Sequence, residues 1–276
     1  MSLDRNFSLA EDLALALRLA DIADEITLKR FQALDLIIET KPDATPVTDA
    51  DMAVERAIRE VLAIERPDDL IVGEEFGSAD LAANLAASMH GTGKYYWVID
   101  PIDGTKNFLR GIPTWATLIG LSNPANTVVA GVVSAPALFR RWHAALGEGA
   151  FLSVAGSSSP TQIHVSKVSS ISDAQLAYSD LIGWGPLKEP FLKIQEQVWR
   201  TRGFGDFWSH MLVAEGSVDV AVEPQLSLWD MAALEIIVKE AGGEFTTTAG
   251  KPGSHGGSLV SSNGHLHRSF IEALNS

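Results

Sequence analysis

An α+β / α/β fold is what this 276-residue sequence predicts, and three features carry the expectation. Helical periodicity marks two segments near the start, antiparallel turn grammar fills the middle, and strands alternate with helices beyond residue 160. Hydrophobic residues make up 46% of the chain and charged residues 20%, enough apolar surface for one or two compact cores and not the composition of a disordered chain.

Ser8-Leu9-Ala10-Glu11 reads as a capping box, after which Leu9, Leu13, Ala16, Leu17, Ala20 and Ala23 recur at helical spacing. A polar loop from Lys41 to Pro46 leads to Thr48-Asp49-Ala50-Asp51, and Val54, Ala57, Ile58, Val61 and Leu62 mark a second helix with Asp51 in its first turn. The runs Leu70-Ile71-Val72 and Tyr95-Tyr96-Trp97-Val98-Ile99 read as buried strands that each end on acids. Between them the Ala- and Ser-rich stretch Gly77 to Lys94 is expected to be a surface excursion. Strand-like Thr117–Leu121, the turn Asn123-Pro124-Ala125-Asn126, strand-like Thr127–Val133 and Arg140–Ala145 form a meander.

Composition changes at Gly156-Ser157-Ser158-Ser159-Pro160, which places two subdomains at 1–158 and 159–276. The second is expected to hold strands at 175–179, 218–222 and 257–261. Its helices are expected at 188–199, 208–215 and 229–241, the last capped by Gly242-Gly243. No internal repeat is visible.

A formal net charge of −14 and a pI near 4.8 oppose binding to nucleic acid and favour cations. Without cysteine there are no disulfides and no thiolate metal sites. Residues 1–12 lack a signal-peptide pattern and no apolar run reaches the roughly 18 residues of a membrane span, so the expectation is a cytoplasmic protein.

The chemistry concentrates in the acids. Asp100-Pro101-Ile102-Asp103-Gly104-Thr105 follows an apolar strand, with Pro101 restricting the backbone and Gly104 permitting a tight turn, so two carboxylates are expected to face one small space. Gly73-Glu74-Glu75 at a strand end and Asp230 at a helix start offer the same chemistry from elsewhere. Like charges at 4 Å repel by about 4 kcal/mol at an effective dielectric of 20, and a hard divalent cation relieves this. Oxygen-only donors favour magnesium or calcium, and no His or Cys cluster competes. Singly, Asp51 reads equally as the far member of a capping box with Thr48, Asp230 as a helix N-terminal charge, and Glu75 as a solvated acid. The amides of Gly104 and Thr105 at the start of a helical segment suit a phosphate. Together these groups suggest metal-assisted hydrolysis of a phosphate ester.

Four segments carry a resemblance. They are Val47-Thr48-x-x-Asp51, Gly73-Glu74-Glu75, Trp97 to Phe108 around Asp-Pro-Ile-Asp-Gly-Thr, and Leu228-Trp229-Asp230 with Glu240-Ala241-Gly242-Gly243. In that order they resemble the inositol monophosphatase family across roughly residues 8–272. The resemblance implies a layered αβαβα sandwich, a homodimer and two to three Mg2+ ions. It implies a first metal on Glu74, Asp100 and the Ile102 carbonyl, and a second on Asp100, Asp103 and Asp230. A weaker third near Glu74 would help hold a water that Thr105 and Asp51 orient and deprotonate. Gly104 and Thr105 amides would hold the phosphate, with no covalent phosphoenzyme.

Two departures point within the family. Lys106 stands where inositol phosphatases commonly have a second threonine, and the block Arg202 to His210 carries Asp206 and Trp208 where they usually have small residues. Both resemble the histidinol-phosphate phosphatase branch. Such a substrate brings an ammonium and an imidazole, for which Glu223 and Asp206 are the expected acids, Trp208 the expected aromatic wall, and Arg202 a partner for an acid or the phosphate. His210, Trp199 and Trp229 read as structural. Inositol or another polyol phosphate is the alternative substrate, and an interaction protein of the transcription machinery the non-enzymatic alternative, disfavoured by the intact acid set.

Overall fold

The computed structural model describes residues 7–41, 45–77 and 93–276. The stretch expected to be a surface excursion at 77–94 thus lies almost wholly outside the described residues, as does the centre of the loop at 41–46. Helix α1 (Leu9–Arg30) opens on the expected capping box, the Ser8 hydroxyl accepting from the Glu11 amide while the Glu11 carboxylate accepts from the Ser8 amide. A two-stranded hairpin, β1 (Ile38–Thr40) and β2 (Pro46–Thr48), leads into α2 (Asp49–Glu65).

The large sheet has seven strands in sequence order: β3 (Leu70–Gly73), β4 (Tyr96–Asp103), β5 (Ala116–Ser122), β6 (Val128–Ala135), β7 (Arg140–Ala145), β8 (Gly149–Val154) and β9 (Thr161–Ile163). Among the described strands of this sheet only β3 and β4 pair in parallel, and the meander runs antiparallel as expected. A short helix, α3 (Thr105–Leu109), follows β4. The second half adds β10 (Gln175–Ala177), α4 (Lys188–Gln195), β11 (Arg200–Arg202) and α5 (Asp206–Ala214). It continues with β12 (Val220–Glu223), α6 (Leu228–Glu240), β13 (Glu244–Thr246), β14 (Leu259–Ser262) and α7 (His267–Leu274). Its five strands order as β11-β10-β12-β14-β13.

Alternation along the strands creates the layers, because successive side chains leave opposite faces of a sheet. Trp97, Ile99, Ile119 and Leu121 face Leu15, Leu19, Val54 and Ile58 of α1 and α2. Tyr96, Val98 and Leu118, from the other face, pack with Phe207, Met211, Ile236 and Ile237 of α5 and α6. That helix pair also meets the small sheet, through Phe245 and Leu259 and through Val213 against Ala177 and Ala221. Phe191, Ile194, Phe270 and Leu274 of α4 and α7 join Val220, Val222 and Val260 of the small sheet in a further core. The result is the αβαβα sandwich.

The composition break at 156–160 connects β8 to β9, which pair with each other, so the large sheet runs across it. The small polar residues there serve a strand connection. Helix α4 stops at Gln195, four residues short of expectation, and leaves Trp199 65% exposed instead of packed. The hairpin β1–β2, strand β13 and the C-terminal helix α7 are additions; three-residue strands and a two-turn helix lack the length for a clear periodic signal.

Helix α6 lies close against β5 and β6 because glycines face it. A Cβ on Gly131 would come within 2.5 Å of Ile236 Cγ2 and 2.8 Å of the Ala233 carbonyl, and one on Gly120 within 3.0 Å of Ala232 Cβ. Gly131→Ala is therefore expected to lower unfolding free energy by about 1–3 kcal/mol, the usual range for overpacking, as read from urea denaturation.

Candidate active site

Residues 100 and 103 of a regular strand face opposite sides of the sheet. In β4 the register against β5 shifts between Asp100 and Asp103, and the Pro101 carbonyl accepts from the Thr117 hydroxyl at 2.7 Å. This irregularity re-aims the strand end, so that Asp100, Asp103 and Asp230 place carboxylate oxygens within 4.8 Å of one another. Asp230 comes from the first turn of α6, where one oxygen accepts from the Ser227 amide at 2.6 Å. Its capping reading and its ligand reading are compatible, since a carboxylate has two oxygens.

Asp51 follows the same logic. Its Oδ2 accepts from the amide of Thr48 at 2.8 Å and from the hydroxyl at 2.5 Å, closing the expected capping box, while its buried Oδ1 has no hydrogen-bond partner among the described residues. Burial, opposed by those two hydrogen bonds, pushes Asp51 up to about 6. The Thr105 hydroxyl donates to the Ile102 carbonyl at 3.0 Å. Gly104 adopts φ +84°, and a Cβ there would meet the Thr114 carbonyl at 3.0 Å and Asp206 Oδ2 at 3.3 Å, so glycine is required on both counts.

Glu74 leaves the end of β3, its amide donating to the Ile99 carbonyl at 3.2 Å. Lys41, which no motif in the sequence singles out, reaches Glu74 at 2.6 Å and Glu75 at 2.7 Å. Burial opposes the ammonium, yet the two carboxylates raise its pKa on balance. Glu75 is thus a paired, nearly buried acid and not the solvated one of its simplest reading.

A cavity of about 560 Å³ joins these acids to a second group. Its lining includes Glu74, Asp100, Ile102, Asp103, Gly104, Thr105, Lys106 and Asp230, and further along Ser179, Asp180, Phe204 and Asp206. Asp206 opens α5 at φ +51° and accepts from the Asn107 side chain at 3.0 Å; the next amide, of Phe207, donates to Asp103 Oδ2 at 2.6 Å. The Ser179 hydroxyl donates to Glu223 at 2.6 Å and accepts from the Asp206 amide at 3.1 Å, so it ties these two acids together. Glu223 stands behind Ser179 and does not line the cavity itself. Phe204 lines the wall, with Trp208 behind it at 5.6 Å between ring centroids, and Arg202 is turned onto the Thr201 carbonyl outside the lining. His210 is buried and bonded to the Ser261 hydroxyl at 2.7 Å, as a structural residue would be.

The acids test whether a cation fits. Burial first, then the charges of Glu74, Asp103 and Asp230, hold Asp100 well above the usual carboxylate range. Burial, then Asp206 and Asp230, do the same to Asp103. Burial foremost lifts Asp230 to about 7, Asp206 to about 6 and Glu223 to about 8. Asp100 Oδ1 is buried without a hydrogen-bond partner among the described residues. An all-oxygen donor set with an orphaned buried oxygen and carboxyls that resist ionisation suits a hard divalent cation such as magnesium.

Acids whose folded pKa exceeds the unfolded value bind more protons folded than unfolded, so their contribution to stability falls as pH rises. Metal-free protein is therefore expected to lose thermal stability between pH 5 and 8 as Asp51, Asp206, Asp230 and Glu223 ionise. Added magnesium should raise the melting temperature far more at pH 8 than at pH 5. Differential scanning fluorimetry with and without chelator checks both signs.

Residues 8–276 match the inositol monophosphatase family. The chain is 53% identical over 267 residues to a protein of Mycobacterium tuberculosis named histidinol-phosphatase, covering 96% of this chain and 98% of that one. It is 54% identical to one of the same name from Streptomyces coelicolor, covering 96% and 97%. Among solved structures, an inositol monophosphatase from Zymomonas mobilis superposes with a TM-score of 0.81 at 30% identity, over 98% of this chain and all of that one. Among the described residues no helix is long and apolar enough to cross a membrane. The chain belongs to the inositol monophosphatase family, a metal-dependent group, and is a phosphoric monoester hydrolase.

Proposed function

We propose that the protein hydrolyses histidinol phosphate, using two to three magnesium ions, as a homodimer. The observation that carries the substrate is the acidic far end of the cavity. Asp206 and Asp180 line it, and Glu223 is joined to Asp206 through Ser179. Among the described residues lining the cavity, the only cationic side chain is Lys106. A leaving group with an ammonium and an imidazole supplies the missing positive charge and can lie against Phe204. The neutral hydroxyls of a cyclitol would leave those carboxyls uncompensated. The names of the relatives at 53% and 54% identity support the same reading.

Glu74, Asp100, Asp103, Asp230 and the Ile102 carbonyl would hold the magnesium. When bound, it supplies electrostatic stabilisation of the phosphoryl oxygens and makes a water acidic enough to attack. The chain's own residues do the rest. The Gly104 and Thr105 amides receive the phosphate, and the Thr105 hydroxyl orients the water. The buried Oδ1 of Asp51, without a hydrogen-bond partner among the described residues, would accept the water's proton. Asn107 and the Phe207 amide fix Asp206 and Asp103 against each other, so the leaving alcohol is held in a set place relative to the phosphate.

The substrate is tested by comparing kcat/KM for histidinol phosphate, inositol 1-phosphate and an aryl phosphate. Asp206→Asn is expected to raise KM for histidinol phosphate by roughly tenfold or more, the worth of one charged hydrogen bond, and Glu223→Gln, acting through Ser179, to raise it less, while both spare the aryl phosphate. Equal losses on both substrates, or a preference of the unaltered enzyme for inositol 1-phosphate, would overturn the assignment.

The base is tested by pH. Turnover should fall on the acid side as Asp51 protonates, with an apparent pKa at or below about 6, because bound cations favour the carboxylate. Asp51→Asn should lose about 10²-fold or more in kcat and flatten that limb. A limb that survives in Asp51→Asn assigns it to another group.

A further inference from the structure

Glu55 is a fully buried carboxylate that the chemistry above does not use. It projects from α2 beside Val54, in a helix whose buried Val54, Ile58 and Leu62 pack against α1 and the large sheet. Removing a carboxylate from water is costly unless donors surround it. Here the donors are the Arg59 Nε at 2.8 Å to Oε1, the Glu75 amide at 2.7 Å to Oε2 and the Phe76 amide at 3.2 Å to Oε1. Two of these three belong to the turn that follows β3.

The approach is possible only because residue 73 lacks a side chain. A Cβ on Gly73 would stand 2.0 Å from Glu55 Oε1, 2.3 Å from Cδ and 2.7 Å from Oε2. The carboxylate therefore fills the space above Gly73 and grips the backbone two and three residues on. Between those points sits Glu74, whose own amide is held by the Ile99 carbonyl. Three consecutive amides, 74 to 76, are thus fixed, one by the sheet and two by Glu55. On the other side Lys41 bridges the carboxylates of Glu74 and Glu75.

We infer that Glu55, with the clearance left by Gly73, is a positioning residue that presents Glu74 to the cation. The inference rests on the proposed role of Glu74 as a metal ligand. A short turn carrying one ligand has freedom that a strand or helix lacks, and each ångström of wander weakens a hard-cation site that needs defined geometry. Gln at position 55 keeps the size but offers one acceptor oxygen and turns an N–H toward an amide N–H. Ala at position 73 pushes the carboxylate away without touching its charge.

Magnesium titrated calorimetrically into metal-stripped protein tests this. Glu55→Gln and Gly73→Ala are expected to raise the magnesium Kd about tenfold or more, as loss of residues that support metal ligands does. The magnesium needed for half-maximal turnover should rise in parallel, with kcat at saturating magnesium within about threefold of the parent, since the reacting groups are intact. Asp12→Asn, which disturbs a buried ion pair with Arg66 away from the turn, should lower the melting temperature and leave Kd unchanged. An unchanged Kd in Glu55→Gln overturns the inference, and Gly73→Ala decides in the same way if Glu55→Gln does not fold. An equal rise in Asp12→Asn makes the effect one of stability and overturns it too. Glu74→Gln separates the two levels: if it leaves Kd unaltered, the ligand reading itself fails.

Discussion

Mutual repulsion among crowded carboxylates, one buried and two half-buried, is the constraint around which the molecule is arranged. Asp100, Asp103 and Asp230 crowd their oxygens within 4.8 Å in a place where burial already disfavours charge. Nothing in the hydrophobic core favours such a cluster. It persists because each acid is delivered by an element whose position is set by other contacts: the end of an interior strand for Asp100 and Asp103, and the first turn of a helix wedged between two sheets for Asp230. The scaffold holds the acids together, and a divalent cation removes the reason for them to part.

The same rigidity ties the acidic far end of the cavity to the acid cluster. The Phe207 amide at the start of α5 donates to Asp103, while Asp206, one residue earlier, takes the Asn107 side chain from the segment after β4. Asp206 is held at φ +51° to do both, a strained conformation for a non-glycine residue. A change of substrate preference in this fold therefore has a natural place at the start of α5. Side chains there can vary while the Phe207 backbone amide still supports Asp103.

Much of the site was legible because its chemistry is local in sequence. Asp100 and Asp103 share one six-residue motif with Gly104 and Thr105, and the capping boxes at Ser8 and Thr48 formed as read. The meander was legible because antiparallel neighbours need only short turns. Other features were not. Lys41 lies in a polar loop without periodicity and meets Glu74 only through the fold. Phe204 and Trp208 are both aromatic, and which one faces the cavity depends on how α5 docks against the sheets. Arg202 looked like an anion partner by residue type, yet it sits on an edge strand and turns to its own backbone.

Local sequence was enough for the elements with strong periodicity and for the acid-rich strand end at Asp100 to Thr105. Those follow from residue type and spacing within a few turns of chain, where geometry is nearly fixed by the backbone. The tertiary structure alone decided that the composition break at 156–160 is a connection inside one sheet, that Asp230 reaches Asp100 from 130 residues away, and that a glycine at 73 makes room for Glu55. These depend on which surfaces of distant segments meet, and that is set by packing the apolar faces of five layers at once, which no local pattern encodes.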